Sequence, residues 1–170
     1  MTQYILSNKE MAKADLLTIE SGISSLDLMF NAGKKVFNNL PVQRGKRALF
    51  ICGPGNNGGD GYVAADLLLK QGMEIDIYCP ISKAKESNDN LHYKQKLNKS
   101  LFVSKIRSLS NYCYVVDALF GTGLSRTMSD DLSSLVGKIN QSKLDVFSVD
   151  IPSGINGCLL YTSDAADEAK

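Results

Sequence analysis

The chain has 170 residues, enough for one domain with a substantial core and too few for two comfortable ones. Nineteen Lys and Arg face eighteen Asp and Glu, and 44% of residues are hydrophobic, which excludes a disordered polyelectrolyte and a protein devoted to nucleic-acid phosphates. No apolar run approaches the roughly 18 residues of a membrane helix. The start, Met1 to Glu10, lacks the basic segment and apolar block of an export signal, so a cytoplasmic protein is expected. Cys52, Cys79, Cys113 and Cys158 show no Cys-x-x-Cys spacing, and His92 is the single histidine. A disulfide framework, a zinc site and a histidine triad are therefore not suggested.

In chain order, Ser7-Asn8-Lys9-Glu10 is a capping box that predicts a helix from about residue 8, with Ala12, Leu16 and Ile19 along one face and Gly22 as its stop. A second helix starts near Ser24 or Ser25. Leu26, Met29, Gly33, Val36, Phe37 and Leu40 trace its face, and Pro41 ends it. Ala48 to Cys52 is a short continuous apolar run, the mark of a buried strand. A glycine-rich turn follows, then a predicted helix from Asp60 to Gln71 closed by Gly72. Residues 74–79 alternate, with Ile75, Ile77 and Cys79 on one face of a half-buried strand. A polar helix is expected over 87–99 and a weak strand over 101–103. Buried strands are expected over 113–116 and 146–149, with a helix over 130–140 capped by Ser129 between them. Cys52 and Cys113 fall on strands as buried thiols, and His92 on a helix surface. Strand, turn, helix, strand repeated in this way predicts a single α/β domain with a mostly parallel sheet.

Parallel strands share one carboxyl edge, where ligands of such sheets bind. Three segments leave three buried strands at that edge: Gly53-Pro54-Gly55-Asn56-Asn57-Gly58-Gly59-Asp60-Gly61, Asp117 to Arg126, and Asp150-Ile151-Pro152-Ser153-Gly154-Ile155-Asn156-Gly157. Each brings carboxylate, amide or hydroxyl oxygens together with glycines. The first matches Gly-x-Gly-x-x-Gly through Gly53, Gly55 and Gly58, between a strand and a helix, where backbone can approach a phosphate. A hydride-transfer enzyme also needs an acid at the end of the next strand for the ribose, and Tyr78-Cys79-Pro80 supplies none. The absence of Gly-Lys-Ser/Thr excludes a kinase-type phosphate loop. Asp117 and Asp150, one alone readable as a helix cap, together suggest a site, and their oxygens suit a hard cation.

The three segments together resemble the YjeF N-terminal domain family of NAD(P)H-hydrate epimerases, as do Met11-Ala12-Lys13-Ala14-Asp15 and Leu28-Met29-Phe30-Asn31-Ala32-Gly33. The resemblance spans about residues 5–157. It implies a Rossmann-like three-layer α/β/α fold with two opening helices and a homodimer. The implied reaction is interconversion of the R and S epimers of hydrated NAD(P)H, with one potassium ion per subunit. Matched by position, Asn56, Asn57, Gly58, Gly59 and Asp60 would hold the dinucleotide. Gly121, Thr122, Gly123, Leu124, Ser125, Arg126 and Thr127 would form a second cradle, and Asp150 would contact the substrate. Asn57, Asp117 and Ser153 would supply the potassium site. Asp150 or Asp60 is the expected acid/base, with Asp117 acting mainly through the ion. Arg126 either pairs with a substrate phosphate or faces solvent. In many microbes the domain is fused to a downstream dehydratase.

Two departures stand out. Phe30 occupies a place where the family usually has Glu, and the third motif breaks off at Cys158. Residues 158–170 are expected to be a non-native, adapter-like tail, leaving 1–157 as a domain that lacks the family's last strands and helices. The competing readings are a non-catalytic scaffold of the same fold and, less favoured, a conventional NAD-dependent oxidoreductase.

Overall fold

The computed structural model describes residues 7–81, 84–122, 127–156 and 161–162. Two helices open the chain, α1 (Asn8–Glu20) and α2 (Ser25–Asn38). There follow β1 (Arg47–Cys52), α3 (Asn56–Lys70), β2 (Glu74–Tyr78), α4 (Asn88–Lys96), β3 (Phe102–Val103), β4 (Tyr114–Ala118), α5 (Asp130–Gln141) and β5 (Asp145–Ser148). Short 3₁₀ turns at Lys99–Leu101 and Leu109–Asn111 flank β3. The five strands form one parallel sheet in the order β3-β2-β1-β4-β5. The chain therefore winds outward from β1 first to one side and then, from β4, to the other, as the expected Rossmann-like architecture requires. A separate antiparallel pair joins β6 (Ile155–Asn156) to β7 (Tyr161–Thr162). The latter falls within the expected tail, most of which lies outside the described residues.

The central strand explains the layers. Ala48, Leu49, Phe50, Ile51 and Cys52 are all at most 2% exposed, because helices cover both faces of β1. Ala48, Phe50 and Cys52 meet Tyr62, Ala65, Leu68, Ile75 and Ile77 beneath α2, α3 and α4. On the opposite face, Leu49 and Ile51 join Val115, Leu119 and Ile139, with Leu132 and Leu135 of α5 packed against them. Arg47 ties the amino ends of two strands together through Glu74 at 2.5 Å and Asp76 at 3.5 Å.

The expected elements are present, with five local differences. α3 begins at Asn56, four residues before the predicted start, with Gly55 at its N-cap. Glycine is a poor helix former, yet Gly58 and Gly59 are buried in the first turn, where close packing outweighs propensity. β5 is an edge strand of the described sheet with Val146 40% exposed, so the strand predicted as buried is only half covered. Cys113 is half-buried just before β4, its thiol donating to the Arg47 carbonyl, and is not a core thiol like Cys52. Ser129 is the N-cap of α5 by position, but its side chain makes no capping bond. The capping box starts α1 as predicted, with Ser7 and Glu10 bonded reciprocally, but its apolar face does not meet the sheet. Leu16 is 61% exposed and Ile19 42%, alongside exposed Met11 and Leu17. Among the described residues no helix is long and apolar enough to cross a membrane.

Candidate active site

The site grows from the way two neighbouring strands end. The amide of Gly53, one residue beyond β1, donates to the Ala118 carbonyl at the end of β4 at 3.0 Å. A Cβ on Gly53 would lie 1.9 Å from the Leu119 carbonyl oxygen, so only glycine lets the two exits run together. Gly58 meets the same limit, because its Cβ would fall 2.0 Å from the Gly53 carbonyl oxygen. The loop thus folds tightly onto itself and delivers the first turn of α3 to the rim. That turn carries no acid and no side-chain cap, leaving its amides for an anionic group.

A brace from α4 holds the loop in place. Asn90 is fully buried, and its amide nitrogen donates to the carbonyls of Gly53 at 3.0 Å and Gly55 at 2.7 Å. Ser87, the N-cap of α4, donates its hydroxyl to Asn56 Oδ1 at 2.7 Å and its amide to the Pro54 carbonyl at 3.0 Å. Neither Ser87 nor Asn90 was singled out by sequence reasoning, which sees only a polar helix there. A usable signal exists: Asn90 precedes Tyr93 by three residues, and Tyr93 points inward to donate to the Leu26 carbonyl at 2.9 Å.

The second and third segments lock to each other through Asp117 and Ser153. Asp117 Oδ2 accepts the Ser153 amide at 2.7 Å, and its Oδ1 accepts the Ser153 hydroxyl at 2.7 Å and the Leu119 amide at 3.2 Å. The Ser153 oxygen in turn accepts the Phe120 amide at 3.1 Å. Burial pushes the Asp117 carboxyl above its usual range, opposed by these hydrogen bonds. Nearby, Asp150 Oδ2 accepts the Thr122 amide at 2.8 Å. A Cβ on Gly121 would lie 2.6 Å from that same oxygen and 3.5 Å from Asn57 Cβ. All three segments therefore meet in one place.

Two groups at this meeting point are left chemically unfinished. Asp60 is held at about 7 by burial first, then by the charges of Asp150 and Asp15. Asn57 has both amide atoms buried without a partner among the described residues. Such an orphaned amide implies a ligand or ion, and the amide, carboxylate and hydroxyl oxygens of Asn57, Asp117 and Ser153, on three segments that converge around Gly121 and Phe120, are of the chemical kind a hard cation takes. The residues present thus fit the potassium ion that the resemblance implies.

Of the expected site residues, Asn56, Asn57, Gly58, Gly59 and Asp60 lie on the first turn and a half of α3, and Gly121, Thr122, Asp117, Asp150 and Ser153 gather beside it. Thr127 lies further along, at the approach to α5. Gly123, Leu124, Ser125 and Arg126 lie outside the described residues.

A parallel sheet in this order, with a glycine-opened helix at the point where the winding reverses, defines a Rossmann-like α/β protein with its polar rim at that switch point. The family described as YjeF-related protein N-terminus matches residues 25–163, and the chain belongs to that family. An NAD(P)H-hydrate epimerase from Oenococcus oeni is 37% identical over 162 residues, covering 92% of this chain and 77% of that protein. A bifunctional NAD(P)H-hydrate repair enzyme from Methanothermobacter thermautotrophicus is 34% identical, covering 90% of this chain and 32% of its own length. The crystal structure of yeast ynu0 superposes with a TM-score of 0.74 at 25% identity, over 91% of this chain and 72% of that one.

Proposed function

We propose that this protein is an isomerase that interconverts the R and S epimers of hydrated NAD(P)H, a cofactor-repair reaction in the cytoplasm. The observation that carries the proposal is the meeting of Asp60, Asp150 and Asn57 at one rim, in a chain whose relatives are named for that activity. The hydrated ring bears a hydroxyl on a carbon beside the ring nitrogen. Protonation lets that hydroxyl leave as water, the nitrogen lone pair forms an iminium cation, and water returns to either face while giving up a proton. One carboxyl group can serve both directions if it titrates near neutrality.

Asp60 suits that role, because burial and Asp150 hold it at about 7. We assign Asp60 as the group that delivers and recovers the proton, and Asp150 as the carboxylate whose charge steadies the cation. Asp150 oriented by the Thr122 amide supports this division. Asn56, Asn57 and Gly58 would present the free amides of the first turn of α3 to the pyrophosphate, with Gly59 and Asp60 beside them. Asn57, Asp117 and Ser153 would hold potassium, which when bound supplies a fixed positive charge that orients substrate oxygens. A homodimer is proposed as well, supported by the uncovered apolar face of α1. A dehydratase partner domain is proposed for longer family members.

The direct test follows the epimer ratio of hydrated NADPH by proton NMR after one epimer has been depleted. The protein should restore the ratio faster than the spontaneous reaction. A rate equal to the spontaneous one would refute the assignment.

A further inference from the structure

The rim continues beyond the three segments, because one layer of the fold is incomplete. The crossover from β3 to β4 carries only the 3₁₀ turn Leu109–Asn111 where a doubly wound sheet usually places a helix. Among the described helices, α5 alone covers that face of the sheet. Between α5 and the crossover lies a cavity of about 980 Å³ that opens where β2 and β4 end, at Tyr78, Pro80 and Phe120. Its floor is apolar, including half-buried Ile81, Ile106 and Leu135. Among the described residues its lining includes the exposed side chains of Lys105, Arg107 and Lys138 and the carboxylate of Asp131; Lys105 and Arg107 also line a smaller neighbouring cavity with Arg47 and Asp76. None of Lys105, Arg107 and Lys138 forms an ion pair among the described residues.

A dinucleotide on a sheet of this order crosses the switch point with its adenosine ribose at the end of β2. A carboxylate there would accept the ribose 2′-hydroxyl and repel a phosphate in its place. Here Tyr78-Cys79-Pro80 offers no carboxylate, and the groove that starts at those residues carries those three cations in its lining. We propose that this groove takes the adenosine half of the substrate, its apolar floor against the base and Lys105, Arg107 and Lys138 around a 2′-phosphate. Arg107 presents the planar fork that matches phosphate oxygens, and the lysines add mobile point charges. The site is thereby biased toward the phosphorylated cofactor. This inference rests on the epimerase reading for the identity of the dinucleotide, but the groove's preference is measurable without it.

Calorimetric titration with adenosine 2′,5′-bisphosphate and adenosine 5′-monophosphate isolates the 2′-phosphate, because the two differ in that group alone. The bisphosphate should bind at least about tenfold tighter, the factor that about 1.4 kcal/mol of charge-assisted contact provides. The advantage should shrink as salt rises. In K105Q/R107Q/K138Q, three exposed changes that leave the core intact, the ratio should fall to about one. Equal affinities in the unaltered protein, or an advantage that survives the triple change, would overturn the proposal. So would inorganic phosphate competing as well as the bisphosphate, because the groove would then recognise phosphate without adenosine. If the nucleotide preference holds while hydrated cofactor is not epimerised, the epimerase reading fails and the groove assignment stands.

Discussion

At the scale of single residues, the buried carboxyl of Asp60 ties the proposed chemistry to stability through its raised pKa. Its folded pKa of about 7 lies above the ordinary carboxylate value, so the folded state binds a proton that the unfolded chain has already lost. The contribution of this group is fully present below pH 4 and disappears as pH rises toward 7. Asp60→Asn should therefore unfold later in urea than the unaltered protein at pH 8, by about 1–3 kcal/mol, with the difference vanishing near pH 4. The same substitution should remove epimer exchange. Asp150→Asn should also abolish exchange, while binding of hydrated cofactor stays detectable by calorimetry; an unchanged exchange rate would remove Asp150 from the mechanism. Asn90 acts at one remove, through the carbonyls of Gly53 and Gly55. Asn90→Ala strips both of their buried donor and should cost about 1–3 kcal/mol in denaturant unfolding, with the glycine loop less protected in hydrogen exchange.

At the scale of elements, the strands were the most legible part of the sequence. The run at 48–52 is wholly apolar and that at 114–116 carries only the Tyr114 hydroxyl, which donates to the Pro41 carbonyl, and a doubly covered sheet accommodates both. The three rim segments were legible for a related reason, since each follows such a run and parallel strands share an edge. The start of α3 was not, because Gly58 and Gly59 are unfavourable by propensity and are selected by close contacts, Gly58 with the carbonyl of Gly53 across the folded loop and Gly59 with Met29 of α2, distant in the chain. The exposure of β5 was hidden too: Val146-Phe147-Ser148-Val149 looks the same at an edge as in a centre. Close approach also governs α2 against α3. A Cβ on Gly33 would sit 2.4 Å from Val63 Cβ and 2.7 Å from the Asp60 carbonyl oxygen. Gly33→Ala should cost about 1–3 kcal/mol in stability and lower exchange, because separating the helices displaces Asp60. Unfolding curves and exchange rates on the same preparation would check both effects.

At the scale of the whole molecule, two uncovered surfaces among the described residues bear on assembly: the outer edge of β5 and the apolar side of α1. Leu16 and Leu17 are 61% and 55% exposed on a helix that barely touches the rest of the domain. A helix so short is marginal in water without a tertiary partner. If the proposed dimer forms through this face, the unaltered protein should sediment as a dimer in analytical ultracentrifugation and the Leu16→Lys/Leu17→Lys variant as a monomer; a monomeric parent would refute the dimer, and a dimeric variant would refute this face as its contact.

The strand order carries one more implication. Because β1 bonds to β2 on one side and to β4 on the other, the sheet consists of an early half and a late half that share a single seam. Glycine-loop residues belong to the first, Asp117 and Asp150 to the second. A nucleotide lodged between them would act as a rivet, tightening the union of two separately encoded pieces. Saturating it at about a hundred times its dissociation constant should raise global stability by about 2.7 kcal/mol, and the greatest slowing of amide exchange should fall along the β1–β4 ladder.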